Sequence, residues 1–116
     1  MARHDAMLSK HRHSYLKSYR LKAALTQAEL AGLLGLTANA VSQYELGKRR
    51  VPTEVLVAAE VIFGVRGAKV FPALYNSVEE DLAIRALALH DHLSGKQDPA
   101  SRKKLALIAG IPSRLH

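Results

Sequence analysis

The chain contains no cysteine and no tryptophan, and aromatic residues make up 5% of its 116 positions. The absence of cysteine excludes disulfide bonds, cysteine-type zinc fingers and thiol nucleophiles, and it is compatible with a reducing cytoplasm. The few aromatics stand among many alanines and leucines, a composition that favours helices over a β-sandwich or barrel. We therefore predict an all-α protein.

Long hydrophobic runs are absent too, although 48% of the residues are hydrophobic. The first stretch, "MARHDAMLSKHRH", lacks the apolar segment of roughly 7 to 15 residues that a secretory signal needs. No run approaches the roughly 18 apolar residues of a membrane span. These absences predict a soluble, cytoplasmic protein that has no membrane partner.

Acidic residues are scarce in the first part of the chain. Residues 1–50 hold nine Lys/Arg and three Asp/Glu, whereas the rest of the chain holds eight and seven. A segment this basic suits a polyanion such as nucleic acid, although a merely solvated surface would show the same charge. The near-neutral remainder is available for another role, such as self-association.

The first part of the chain divides into an arm and a first helix. Residues 1–13 are polar, basic and without periodicity, which predicts a flexible N-terminal arm. Ser14 can act as the N-cap of a helix that ends near Ala24. This helix opens a segment, residues 14–64, in which we predict four helices.

The second helix lies in "LTQAELAGLLG". Thr26 and Glu29 match the T-x-x-E capping box, in which each side chain bonds the backbone of the other residue. Gly35 stands where a helix-ending left-handed residue is needed. The predicted buried stripe consists of Leu30, Leu33 and Leu34.

A third helix and a fourth follow. Thr37 is the predicted N-cap of the third, which runs to about Leu46 and is stopped by Gly47. After the basic loop "KRRVP", Thr53 is the predicted N-cap of the fourth. The residues predicted to face inward from the fourth helix are Val55, Leu56, Ala59 and Ile62.

Residues 65–116 differ in character. They begin with a stretch that contains glycine and proline and lacks helical period, which predicts a connector. Ser77 and Glu80 form a second capping-box pattern ahead of a helix over 78–93, with a last helix over 99–109. Two alternatives remain open for this pair: a hairpin that packs on the preceding helices, or a dimerisation or partner-binding region.

The second and third helices form a distinctive pair, because only the short turn Gly35-Leu36-Thr37 joins them. At 100° per residue, Asn39 and Gln43 lie about 160° and 200° around the third helix from Val41. The two amides therefore point away from the predicted core. This is the geometry of a helix-turn-helix whose second helix is offered to the major groove of DNA.

The stretch from Leu25 to Pro52, "LTQAELAGLLGLTANAVSQYELGKRRVP", resembles the Cro and phage-repressor (XRE-type) helix-turn-helix family. The shared features are TQ-x-EL-A, the turn glycine, V-S-x-x-E-x-G-K and the following proline, and a looser match extends from Leu16 to Phe63. The resemblance implies a lambda-repressor-like bundle of four core helices with a C-terminal helical extension. Residues 14–64 are then the DNA-binding domain.

The resemblance also assigns roles by position. The residues it implies for reading bases are Ala38, Asn39, Ser42 and Gln43. Those it implies for binding phosphate are Thr26, Gln27, Thr37, Lys48, Arg49 and Arg50. Either amide can bond adenine N6 and N7, whereas Ala38 can only touch a thymine methyl group. Arg20 and Glu45 are implied to form a structural ion pair that holds the recognition helix at its angle.

Other polar clusters invite competing interpretations. The six histidines include His11 with His13 and His90 with His92, but a spacing of two places such pairs on opposite sides of a helix. We therefore predict neither a metal site nor a cofactor. No nucleophile and base can be matched, so we do not expect an enzyme.

The N-terminal arm has two interpretations. Its basic residues, Arg3, Lys10 and Arg12, suit phosphates or a minor groove, and they equally suit a disordered tail.

The functional prediction is a regulator of transcription that associates with the nucleoid. We expect a repressor that binds double-stranded DNA at a pseudo-palindromic operator as a homodimer, because two-fold dimers read two half-sites about one DNA turn apart. The alternatives are the DNA-binding antitoxin of a toxin-antitoxin pair, and a protein-interaction module that kept the fold without binding DNA.

Overall fold

A computed structural model of the chain describes residues 14–115, which fold into helices and turns and contain no strand. In chain order the helices are α1 (Leu16–Lys22), α2 (Gln27–Leu34), α3 (Ala38–Glu45), α4 (Thr53–Phe63), α5 (Gly67–Val70), α6 (Pro72–Leu93) and α7 (Pro99–Ala109), followed by a 3-10 turn (Pro112–Arg114). The predicted all-α class is confirmed. The chain divides into two compact units between Tyr75 and Asn76, inside α6.

The first unit is built around one hydrophobic core to which each of its first five helices contributes. Ten buried side chains make up this core: Leu16, Leu30, Ala31, Ala40, Val41, Tyr44, Val55, Ala59, Val70 and Phe71. Both α2 and α3 place an alanine in it, which lets the two helices approach closely. A helix pair packed in this way forms a rigid platform for the side chains on its outer surface.

The turn between α2 and α3 follows the predicted chemistry. Gly35 ends α2 with φ +70°, a left-handed conformation that glycine adopts without a Cβ penalty. The backbone N–H of Leu36 then bonds the carbonyl of Ala31 at 2.9 Å, which satisfies a carbonyl that the end of α2 would otherwise leave open. The turn therefore needs only three residues.

Three local predictions for the first unit are wrong. Leu33 is 59% exposed, because the buried side of α2 is centred between Leu30 and Ala31 and Leu33 falls outside it. Ser14 does not cap α1; Tyr15 is the N-cap, and the Ser14 hydroxyl donates to the carbonyl of Tyr44 at 3.3 Å. The fourth helix begins at Thr53 itself, without a side-chain cap.

The stretch after α4, predicted to lack helical structure, contains α5 and the start of α6. Val70 and Phe71 are fully buried in the core, and the carbonyl of Val70 accepts the backbone N–H of Tyr15 at 2.7 Å. A Cβ on Gly67 would lie 2.5 Å from the Tyr75 hydroxyl and 2.9 Å from Glu60 Oε1, so a larger residue there would have to displace the ends of these two side chains. Tertiary packing therefore gives order to a segment whose local pattern does not favour a helix.

The second unit, residues 76–116, consists of most of α6, the helix α7 and the short turn after it. The predicted start at Val78 is wrong, because α6 runs without interruption from Pro72 and Ser77 lies inside it. Proline suits a first helical position, since no N–H is required there. The predicted cap of α7 is confirmed: an oxygen of the Asp98 carboxylate accepts the backbone N–H of Ser101 at 3.1 Å.

Apolar burial in the second unit is slight. Leu93 and Ile108 are its only buried hydrophobic side chains among the described residues. Its exposed large apolar side chains are Val78, Leu82, Ile84, Leu87, Leu89, Leu107 and Leu115. A groove of about 390 Å³ lies between α6 and the end of α7, and alanine, leucine, isoleucine and His90 line it. Most of the large apolar side chains of α6 are therefore open to solvent.

Candidate nucleic-acid interface

The helix α3 has one buried side and one polar side. Ala40, Val41 and Tyr44 are buried in the core, with exposed fractions of 7%, 0% and 2%. On the rest of the helix, Ala38 and Asn39 are exposed while Ser42 and Gln43 are half-buried. All four predicted base-reading residues thus lie outside the core, on a helix whose other side is fixed.

Both helices of the pair begin with a threonine cap. The Oγ1 atom of Thr26 accepts the N–H of Glu29 at 3.0 Å, and Glu29 Oε1 accepts the N–H of Thr26 at 2.9 Å, so the capping box is complete. The Oγ1 atom of Thr37 accepts the N–H of Ala40 at 3.1 Å. Each threonine keeps its hydroxyl hydrogen as a donor, and each helix start concentrates backbone N–H groups, which favour anions.

An ion-pair network closes the base of this platform. Arg20 Nε lies 2.6 Å from Glu45 Oε2, and their side chains are 9% and 2% exposed. A second nitrogen of the same guanidinium donates to Glu45 Oε1 at 3.3 Å, and a third donates to the carbonyl of Leu25 at 2.9 Å. Arg20 therefore joins α1, the chain before α2 and the last residue of α3.

Gln27 belongs to the same network. Its Nε2 donates to Glu45 Oε1 at 3.0 Å, and the residue is half-buried. The family resemblance implies a phosphate-binding role for this residue, and nothing in the sequence predicted the bond to Glu45. Gln27 and Glu45 lie on different helices, 18 positions apart, so no periodicity along one helix connects them.

The loop after α3 carries the three basic residues Lys48, Arg49 and Arg50, all exposed. The backbone N–H of Lys48 bonds the carbonyl of Gln43 at 2.9 Å, which ties the start of the loop to the helix. The guanidinium of Arg49 lies over the ring of Tyr44, 5.4 Å from its centroid, in a cation–π contact that the sequence did not predict. The positive charge is thus held beside the end of α3.

For metal sites and membrane spans, the structure describes residues 14–115 only. Within residues 14–115, no group of three His, Asp or Glu side chains is placed to hold a metal ion. No helix in the same range has both the length and the apolar character needed to cross a membrane. The arm residues Arg3, Lys10 and Arg12, like His11 and His13, lie outside the described residues.

Comparison with known families agrees with this geometry. A family model described as helix-turn-helix matches residues 16–70, which span α1 to α5. No curated protein and no solved structure matches the chain significantly. The chain contains a helix-turn-helix domain of the Cro and phage-repressor (XRE) type, formed by residues 16–70. It is accordingly a DNA-binding regulator of the XRE type.

The match ends at residue 70. It therefore includes α5, beyond the looser resemblance from Leu16 to Phe63, and it leaves the second unit outside the family domain.

Proposed function

We propose that the chain is a transcriptional repressor that binds a pseudo-palindromic DNA operator as a homodimer. The observation that carries the proposal is the division of α3 into two sides. Its buried side is fixed by the core and by Glu45, and its outer side presents Asn39 and Gln43 next to an exposed basic loop. Occupancy of the operator would then block polymerase.

Base reading is assigned to the outer side of α3. The amides of Asn39 and Gln43 each offer a donor and an acceptor, which match N6 and N7 of adenine in the major groove. Ala38 has no hydrogen-bonding side chain, so its proposed role is contact with a thymine methyl group. Ser42, half-buried beside Gln43, is proposed to bond either a base or a phosphate.

Phosphate binding is assigned to the rim of the same surface. Thr26 and Thr37 stand at two helix starts and Gln27 is the first residue of α2, where backbone N–H groups favour anions. Lys48, Arg49 and Arg50 form the basic side of the rim. Phosphate contacts of this kind set the register of a protein on DNA, whereas base contacts give specificity.

Self-association is assigned to the second unit. Among the described residues it buries two apolar side chains, while α6 and α7 expose six large ones, and units of this size usually need oligomerisation or other support to remain folded. Residues 79–81 are acidic, and residues 102–104, which follow the turn after α6, are basic. Asp81 lies about 18 Å along α6 from Leu93 at 1.5 Å per residue. In an antiparallel pair of copies, the acidic residues 79–81 of one copy would lie beside the basic residues 102–104 of the other.

A titration tests DNA binding. The protein is mixed with an arbitrary duplex at several salt concentrations, and we expect affinity to fall steeply with salt because bound counterions are released from the duplex. Binding that is absent at low salt, or that has no salt dependence, would contradict the proposal. Selection of bound sequences from a random DNA pool then gives the operator, and two half-sites in inverted orientation are expected.

Sedimentation tests the homodimer and its location. We expect the wild-type protein to sediment as a dimer at micromolar concentration and Leu87→Glu to shift it toward monomer, because Leu87 is 64% exposed at the groove of the second unit. Val61→Glu is the matched control, since Val61 is 79% exposed in the first unit. A monomer both free and on DNA, or dissociation by Val61→Glu alone, would refute the assignment.

A further inference from the structure

Gln27 has a contact that phosphate binding does not require. We propose that Gln27 is a positioning residue, which acts through Glu45 to hold the recognition helix α3 at a fixed angle to α2. The inference rests on the proposed function, because the angle of α3 affects specificity only if α3 reads bases. It concerns the same interface and gives Gln27 a second role there, beside the proposed binding of phosphate.

The contact is made to a nearly buried carboxylate. Glu45, with 2% of its side chain exposed, receives two hydrogen bonds from Arg20 and one from Gln27. Arg20 belongs to α1, so its bonds fix α3 to α1. The bond from Gln27 Nε2 to Glu45 Oε1, at 3.0 Å, is the one that fixes α3 to α2.

The bond between Gln27 and Glu45 joins the two helices at the ends that the turn does not connect. Gln27 is the first residue of α2 and Glu45 the last residue of α3. The turn at Gly35 joins the other two ends, where α2 finishes and α3 begins. The chain therefore connects the pair at one end and the Gln27–Glu45 bond connects it at the open end, so the angle between the helices is set at both.

The orientation of the amide follows from the chemistry of its partner. A carboxylate only accepts hydrogen bonds, so the nitrogen of the Gln27 amide, and not its oxygen, must face Glu45. One of the two hydrogens on Nε2 is used in that bond, which leaves one for an outside acceptor such as a DNA phosphate. A phosphate contact and the positioning contact are therefore compatible on one side chain.

The experiment measures affinity for the selected operator and for a scrambled duplex of equal length. Gln27→Met keeps the length of the side chain and removes both N–H groups, and Gln27→Lys keeps a donor for Glu45. We expect Gln27→Met to lower the ratio of the two affinities about tenfold, which is the discrimination lost when a shift of α3 misplaces one base contact. Gln27→Lys should restore most of that ratio. Gln97→Ala, at an exposed position of the second unit, is the control.

A second readout needs no DNA. In the free protein, Gln27→Met should shift the backbone amide resonances of Ser42 and Gln43 on α3, whereas Gln97→Ala should leave them unchanged. Equal losses of affinity for operator and scrambled duplex would overturn the proposal, because they describe a residue that only binds phosphate. If the wild-type protein binds no duplex at low salt, the proposed function fails, and the resonances of α3 alone decide whether Gln27 positions that helix.

Discussion

The two units of this chain differ in how many of their apolar side chains they bury. Within the part of the chain that the structure describes, the first unit buries ten hydrophobic side chains in one core and adds a nearly buried ion pair beside them. The second buries two and leaves most of its large apolar side chains exposed. The first unit therefore has an internal source of stability, whereas the second has a surface suited to contact with another molecule.

The largest effect is expected from breaking the ion pair of the first unit. Arg20→Met leaves Glu45 buried without its main partner, and we expect the free energy of unfolding to fall by about 3 to 5 kcal/mol. Urea denaturation followed by circular dichroism measures the change. The double variant Arg20→Met/Glu45→Leu removes both charges and should recover most of the loss. A loss below about 1 kcal/mol, typical of an exposed ion pair, would show that the pair is not buried in solution.

A matched pair of leucines tests the contrast in burial directly. Leu30 is fully buried in the first unit, whereas Leu107 is 63% exposed in the second. Leu30→Ala leaves a cavity and should lower the free energy of unfolding by about 3 kcal/mol, while Leu107→Ala should change it by less than about 0.5 kcal/mol. The measurement is urea denaturation at low protein concentration, where self-association is weak. Similar losses at both sites would mean that Leu107 is covered in solution.

We expect DNA recognition to depend on the first unit and not on the second. Gln43→Ala is expected to remove about 1 to 3 kcal/mol of discrimination at one base step, because one bidentate contact carries that much specificity. Arg50→Ala should weaken binding to all sequences alike and reduce the salt dependence of binding, since a phosphate contact carries no sequence information. Gln97→Ala, in the second unit, should change neither. The measurement is the affinity of each protein variant for the selected operator and for operators that are changed at one base step.

A loss of affinity from Gln43→Ala that is the same for operator and scrambled DNA would refute a reading role. A loss from Gln97→Ala would show that the second unit also contacts the duplex.

Much of the fold could be predicted because its signals are local. The caps Thr26 and Thr37, the turn at Gly35 and the proline after Asp98 each act within one helix turn, and each is present in the structure. The start of α6 could not be predicted in this way. Its first residues follow Val70 and Phe71, whose burial depends on helices far away in the chain, and the capping-box pattern later in α6 indicated a false start.

The candidate site shows the same limit. The side of α3 that faces outward follows from a rotation of 100° per residue, so the placement of Asn39 and Gln43 needed only one helix. The bond between Gln27 and Glu45 and the contact of Arg49 with Tyr44 depend on the angle between helices and on the path of a loop. Neither quantity is encoded by spacing along the chain.

The smallest effect is expected at the cap of α7 in the second unit. Hydrogen bonds from Ser101 to the carboxylate lower the pKa of Asp98 below its ordinary value of 3.8. Because the pKa is lower in the folded state, the stabilisation of α7 by Asp98 is complete above about pH 3.8 and is lost as the pH falls through the folded pKa. The amide proton resonance of Ser101, followed from pH 6 to pH 2, should therefore move with a midpoint below 3.8. In Asp98→Asn the cap remains without a titratable group, so the same resonance should stay in place over this range, and a similar movement there would assign the titration to another carboxylate.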